Sequence, residues 1–169
     1  TNAPASQALV MILLQKRDGD AAMAVANRAG EVQKALGAQL RAVVFQITNR
    51  SGEAIRELRE ALTAYEVSDL AQQLFRMMVL VKQSDEAQAM LSAWLVDHQD
   101  DIESLQLMSS SLIGEGKYEA AGQYLERAYS LLPNNPIVLN NLAWVRYELK
   151  RPGALAVARR AYRLASQSP

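Results

Sequence analysis

A period of 34 residues runs through the chain and constrains its fold more than any other feature of the sequence. Apolar side chains recur at this interval as Ala71, Leu105 and Leu139, and again three residues later in each copy. A repeat of this length cannot bury its apolar face alone, so neighbouring copies must stack to form a continuous core. The period therefore predicts a repeat architecture.

Each predicted unit contains a second helix, marked by three mostly small or apolar residues at positions i, i+4 and i+7. This spacing places the three side chains on one face of an α-helix. The triplets are Ala22/Ala26/Ala29, Ala54/Leu58/Ala61, Ala87/Leu91/Trp94, Ala121/Leu125/Ala128 and Ala154/Ala158/Ala161. Short side chains let two antiparallel helices approach closely. We expect each unit to be a helix of about 14 residues, a tight turn and a second helix.

Short breakers separate these helices. Gly114-Glu115-Gly116 and Arg151-Pro152-Gly153 interrupt units, whereas the stretch LLPNNPIV marks a boundary between two units. There, Pro133 ends one unit, Asn134-Asn135 form the turn, and Pro136 begins the next helix, whose first turn needs no backbone donor.

Composition excludes several classes of protein. The 18 basic and 18 acidic residues give no net charge, which argues against a nucleic-acid binder with its basic excess. The absence of cysteine excludes a disulfide framework, a thiolate zinc site and a cysteine nucleophile. The longest apolar stretch, Ala8 to Leu14, is too short to cross a bilayer. We predict no cofactor and no metal site.

These units resemble the tetratricopeptide repeat (TPR), and the stretch from 102 to 135 fits best. Its signature positions hold Leu105, Met108, Leu112, Gly116, Tyr118, Ala121, Leu125, Ala128 and Pro133. The resemblance implies an all-α, right-handed TPR α-solenoid of about five helix-turn-helix repeats, and so about ten helices. As a single array over 1–169, its repeats would span about 3–33, 34–67, 68–101, 102–135 and 136–168.

Three longer stretches resemble a narrower group, the TPR lipoproteins of the PEP-CTERM/exosortase system. They are AQAMLSAWLVDHQDD, YLERAYSLLPNNPIVLNNLAW and RPGALAVARRAYRLA. This resemblance implies a bacterial role in exopolysaccharide production and surface-protein sorting. It also implies a periplasmic or outer-membrane-associated location in a Gram-negative cell, with a lipid anchor upstream of Thr1; a cytoplasmic location stays open.

No pattern typical of an enzyme is present in the sequence. Hydrolysis or group transfer needs a nucleophile, a base and an orienting partner that converge. We interpret His98, the only histidine, as a surface residue at a helix C-terminus. Ser109-Ser110-Ser111 falls inside a helix, where packing and surface roles explain it. We therefore predict that the chain is not an enzyme.

TPR arrays present a concave surface lined mainly by the first helix of each pair, and the resemblance places partner-binding positions there. They are Met11, Phe45, Gln72, Arg76, Gln106, Ser110, Asn140, Trp144 and Tyr147. This lining is apolar and amide-rich, which suits an extended or helical peptide. Some of these side chains could instead pack against a neighbouring helix. Because Arg76 is the only basic residue among them, a clamp for a C-terminal carboxylate is disfavoured.

The leading hypothesis is a non-catalytic scaffold that binds a peptide or partner protein in this groove. One alternative is an accessory domain of a polysaccharide synthesis or export machine, and another is direct polysaccharide binding through Trp144 and the basic end of the chain. Residues 140–169 carry a local charge of +5, which indicates either solvated helix faces or attraction of an anionic partner. The last helix, predicted at 152–166, should expose Leu155, Val157, Tyr162 and Leu164, a feature that favours end-to-end self-association.

Overall fold

A computed structural model describes residues 2–166 of the chain, and its regular secondary structure within them is entirely helical. The ten helices are α1 (Ala3–Gln15), α2 (Gly19–Val32), α3 (Lys34–Ile47), α4 (Ser51–Tyr65), α5 (Ser68–Leu80), α6 (Ser84–Asp97), α7 (Ile102–Gly114), α8 (Tyr118–Leu131), α9 (Pro136–Glu148) and α10 (Ala154–Ala165). The prediction of an all-α chain with ten helices is confirmed.

One backbone turn recurs after α1, α3, α5, α7 and α9. The turn residues with positive φ are Arg17 (60°), Asn49 (62°), Lys82 (65°), Gly116 (72°) and Lys150 (51°). The amide that follows such a residue donates to a carbonyl five residues earlier, as Lys117 N does to Leu112 O at 2.9 Å. This is the Schellman arrangement, which satisfies the last carbonyl groups of a helix and ends it. The turns after α7 and α9 lie at or directly before the two breakers that the sequence predicts within units.

The Asn-Pro boundary works as an N-terminal cap. Asn135 Oδ1 accepts hydrogen bonds from the amides of Ile137 at 2.9 Å and Val138 at 3.1 Å. Pro136 occupies the first turn of α9, where no intrahelical donor is needed. The two residues together fix the start of α9 and so the direction in which its side chains project.

The chain divides into two compact units, and the first ends at Ala87. Within it, α3 packs between α2 and α4, and α5 packs against α4. A Cβ added at Gly37 would lie 2.3 Å from Gly30 Cα, so the backbones of α2 and α3 touch where these glycines meet. One buried cluster in this unit consists of Val10, Leu14, Ala22, Ala26, Ala29, Leu36, Leu40 and Val44.

The second unit begins at Gln88. Within it, α8 packs between α7 and α9, and α10 packs against α9. The largest fully buried side chains there are Leu91, Leu105, Met108, Leu125, Leu139, Leu142 and Val138. Two arginines tie α8 and α10 to the loops that precede α7 and α9: Arg127 Nε donates to Gln99 O at 2.7 Å, and Arg160 Nη2 donates to Asn134 Oδ1 at 2.6 Å.

Among residues 2–166, no helix is both long enough and apolar enough to span a membrane. The single array over 1–169, with its five repeat boundaries, stays a prediction.

Candidate functional site

An open cavity of about 700 Å³ lies in the second unit, on the face formed by α7, α9 and the start of α10. Its lining residues are Ile113, Asn140, Asn141, Ala143, Trp144, Tyr147, Ala154, Leu155 and Ala158. All of them are uncharged, and most are apolar or aromatic. This volume and composition are those of sites that accept a small ligand or one large side chain of a peptide.

Two aromatic residues of α9 dominate the cavity. Trp144 and Tyr147 are three residues apart and so project from the same face of the helix, with ring centroids 5.9 Å apart and planes tilted by 34°. Their exposed fractions are 48% and 67%, although large aromatic side chains are usually more buried. The opposite face of α9 holds them in place, because Val138, Leu142 and Val145 are almost fully buried.

Two amides complete the polar part of the lining. Asn140 lies one turn before Trp144 on α9, is exposed, and can both donate and accept hydrogen bonds. Asn141 follows it and is half-buried. An apolar cavity with adjacent amides can hold a side chain by burial while the amides bind the backbone on either side of it.

Three of the nine residues predicted for the groove meet at this cavity: Asn140, Trp144 and Tyr147. In the same unit, Gln106 is half-buried and Ser110 is exposed, but neither lines the cavity. α10 contributes Ala154, Leu155 and Ala158 to the lining, a contribution that the repeat positions do not predict. Leu155 carries the only signal for it, as an apolar residue that the sequence predicts to be exposed on the last helix.

The four predicted groove residues of the first unit differ in exposure. Met11 is 45% exposed, Arg76 is exposed, and Gln72 is only 4% exposed. Phe45 is half-buried, and the guanidinium of Arg50 lies 4.6 Å from its ring centroid. Arg50 Nη2 also lies 2.5 Å from Glu53 Oε2, and this hydrogen bond lowers the pKa of the Glu53 carboxyl. Arg50 therefore covers an aromatic face that the sequence suggested for a partner.

His98 follows α6 directly, as predicted, but its ring is half-buried against Trp94. The two rings stack with centroids 3.4 Å apart, and Trp94 Nε1 donates to Asp101 Oδ2 at 2.9 Å. Asp101 Oδ1 also caps α7 by accepting from Ser104 N at 3.1 Å. These contacts give His98 and Trp94 a structural role at the junction of α6 and α7.

Ser109, Ser110 and Ser111 all lie within α7, as expected. Ser109 is buried and donates to the carbonyl oxygen of Gln106 at 3.0 Å. Across residues 2–166, the acidic and histidine side chains form no group of three or more that could hold a metal ion.

No protein-family model matches the chain, and no curated protein sequence matches it. Solved structures do share its fold. Pseudomonas aeruginosa PilF has a TM-score of 0.71 and 22% identity, over 99% of this chain and 76% of PilF. YrrB, a TPR protein with an unusual peptide-binding site, has a TM-score of 0.65 and 20% identity, over 96% of this chain and 86% of YrrB.

A third similar structure is MamA from Desulfovibrio magneticus RS-1. Its TM-score is 0.68 at 13% identity, over 99% of this chain and 97% of that chain. Identities at this level establish similarity of fold and leave the activity undetermined. The resemblance to TPR proteins is thus confirmed at the level of fold: the chain shares the all-α fold of TPR solenoid proteins.

Proposed function

We propose that this chain is a non-catalytic scaffold that binds a peptide segment of a partner protein, and that the cavity beside Trp144 and Tyr147 anchors it. The observation that carries the proposal is the exposure of these two aromatic side chains at an apolar cavity. Aromatic residues of this kind contribute a large share of the binding energy at protein interfaces.

The cavity also indicates the chemistry of the peptide. Its lining has no charged residue, so the segment that enters should be apolar, with a side chain such as Leu, Phe or Met. Asn140 and Asn141 would bind the backbone groups of that segment, which are otherwise costly to bury. YrrB, a structure of the same fold, has a peptide-binding site, which supports a peptide as the class of ligand.

A peptide selection tests this proposal directly. Peptides selected from a random library on the intact chain should share a large apolar residue, and their affinity should be measured by fluorescence anisotropy. Trp144→Ala should weaken binding by about thirtyfold or more, because removing an anchor residue typically costs about 2 kcal/mol or more.

Tyr65→Ala is the matched control. Tyr65 is 43% exposed on α4 and lies outside the cavity, so its removal should leave affinity unchanged. Equal losses in both variants, or full affinity in Trp144→Ala, would remove the cavity as the anchor. Circular dichroism of both variants establishes that the helices remain folded.

We further propose that the scaffold serves a bacterial exopolysaccharide or PEP-CTERM protein-sorting system, in the periplasm or at the outer membrane. The support is the resemblance of residues 87–101, 124–144 and 151–165 to the TPR lipoproteins of that system. Co-purification from the source bacterium, with Trp144→Ala as control, should yield a sorting or export component. If the unaltered chain and Trp144→Ala both co-purify with a polysaccharide synthase, the accessory-domain alternative is favoured. Recovery of the chain only from the cytoplasm would exclude the proposed location.

A further inference from the structure

The first helices of consecutive helix pairs place residues one period apart opposite each other. In the first unit, Gln73 Nε2 of α5 donates to Gln39 O of α3 at 3.0 Å, and these two residues are 34 positions apart. In the second unit, α7 packs against α9, and Ile113 and Tyr147, which have the same separation, line one cavity. α7 and α9 therefore meet in the same register.

This register continues the cavity residues of α9 onto α7. It places Asn140 opposite Gln106 and Trp144 opposite Ser110. Asn140 and Trp144 are exposed, and on α7 Ser110 is exposed and Gln106 is half-buried. α7 lies inside the unit, because both α8 and α9 pack against it. An accessible row of polar side chains thus leads from the cavity across an internal helix.

The row offers hydrogen-bond donors that the protein itself does not use. Within residues 2–166, the side-chain amides of Gln106 and Asn140 and the indole N–H of Trp144 make no hydrogen bond; Ser109 donates to the main-chain carbonyl of Gln106 and leaves its side chain free. The indole can only donate, whereas each amide can donate and accept. A ligand that matches this row should therefore present backbone carbonyl oxygens.

The spacing of the row fits one backbone conformation. Packed helices lie about 8–10 Å apart, which is the separation expected between Gln106 and Asn140. In a polyproline II segment, three residues rise about 9 Å and every third residue faces the same side. Its backbone has no internal hydrogen bonds, so its carbonyl groups are free to accept. A β-strand repeats every two residues, or about 7 Å, and fits the row less well.

The aromatic pair of the cavity agrees with this conformation. The Trp144 and Tyr147 ring centroids are 5.9 Å apart, the planes are tilted by 34°, and both side chains are exposed. Proline-rich segments dock on aromatic-lined grooves because their backbone is already ordered before binding and loses little entropy. Proline also lacks an N–H, so such a segment presents carbonyl oxygens and few donors, which matches the row.

We propose that the peptide bound at the cavity is a proline-rich segment in the polyproline II conformation. It crosses α9 and α7, and Asn140 and Gln106 donate to carbonyl groups three residues apart. This inference rests on the proposed function and narrows its ligand: proline flanks the apolar residue that enters the cavity. Gln106 is then a specificity-determining residue, although it lies outside the cavity.

Three fluorescein-labelled peptides test the conformation by fluorescence anisotropy with the intact chain. The first has a central leucine with four prolines on each side, so that it reaches Gln106 in either chain direction. The second has alanine in place of every proline, and the third keeps the leucine with one proline on each side. The first should bind about tenfold more tightly than the second, because its backbone loses less conformational entropy on binding.

Gln106→Ala tests the row across α7. It should weaken binding of the first peptide by about two- to tenfold, as expected for one lost hydrogen bond, and leave binding of the third peptide unchanged because that peptide is too short to reach α7. Gln123→Ala is the matched control, since Gln123 is exposed on α8 and lies outside the cavity. It should leave the affinity for each peptide unchanged, and circular dichroism establishes that both variants remain folded.

The outcomes separate this inference from the proposed function. If the alanine peptide binds as tightly as the proline peptide and Trp144→Ala weakens both, the cavity remains the anchor and the polyproline II conformation is excluded. Full affinity of the proline peptide for Gln106→Ala, or no binding of that peptide while a random library yields others, would also overturn this inference alone. If Trp144→Ala leaves the affinity for every bound peptide unchanged, the proposed function fails together with it.

Discussion

The helices α8 and α10 have the same pattern of small residues but different surroundings. In α8, the triplet Ala121/Leu125/Ala128 is fully buried, whereas in α10 only Ala161 of the corresponding triplet is buried. The difference is the cover that α9 provides for α8. A periodic pattern therefore specifies which face of a helix is apolar, and the neighbouring element decides whether that face is buried or exposed.

The side chains at equivalent positions follow this difference. The covered helix has Leu125, which fills space between helices, where α10 has Ala158. It also has Gly122, beside which α9 passes, where α10 has the exposed Leu155. The charge changes sign as well, from Glu126 to Arg159. These substitutions follow the difference in burial between the two helices.

Removing the side chain of the buried Leu125 has the largest expected effect on stability. It tests whether packing of α9 against α8 accounts for the different burial of α8 and α10. Leu125→Ala should lower the free energy of unfolding by about 2–5 kcal/mol, because it removes a fully buried side chain and leaves a cavity. The reverse change in α10, Ala158→Leu, should alter it by less than about 0.5 kcal/mol at an exposed position. Urea unfolding followed by circular dichroism measures both, and similar losses in both variants would mean that α10 is as tightly covered as α8.

The helices and their turns could be predicted because local signals and the repeat period agree. Asn135 and Pro136 mark the start of α9 by their own capping chemistry, and the structure confirms that start. The turn after α7 follows from Gly116, whose positive φ suits a residue without a side chain. Such features depend on residues close together in sequence.

The cavity could be predicted only in part, because it depends on which helices meet in space. Trp144 and Tyr147 followed from their place in the repeat, but the contribution of Leu155 from α10 did not. At the equivalent position to Tyr147 in the first unit, Phe45 lies beneath the Arg50 guanidinium. Aligning the repeats identifies equivalent backbone positions. It does not show which long side chains from neighbouring positions, such as Arg50, cover them.

The turns that precede α8 and α10 differ in sequence, because the same backbone conformation is adopted by Gly116 in one and by Lys150 in the other. Gly116→Ala should destabilise the chain by about 1 kcal/mol, since a Cβ at a φ of +72° is strained although no atom lies within 4 Å of it. Lys150→Gly should change stability in the opposite direction by up to about 1 kcal/mol.

Gly114→Ala is the control for these turn variants. Gly114 is the last residue of α7, with no atom within 4 Å of an added Cβ, so alanine should stabilise the helix by about 0.5–1 kcal/mol. Thermal unfolding measures the stability change in each variant. Changes of opposite sign in Gly114→Ala and Gly116→Ala would establish that backbone conformation decides the effect of an added Cβ. A loss in both variants would instead indicate that any side chain disturbs this turn.

The ion pair between α8 and α9 gives the smallest expected effect and addresses the charge reversal. The Arg146 and Glu126 side chains are 26% and 45% exposed, so solvent screens their attraction, and the pair should contribute about 0.2–1 kcal/mol. A double-mutant cycle of Arg146→Ala and Glu126→Ala isolates that coupling. Arg159→Ala, at the equivalent position of α10, should leave the stability of the free chain unchanged, because no described carboxylate pairs with it. A loss of stability in Arg159→Ala comparable to that in Arg146→Ala would show that Arg159 already has a partner within the chain. The positive charge at this position would then contribute to contacts inside the chain.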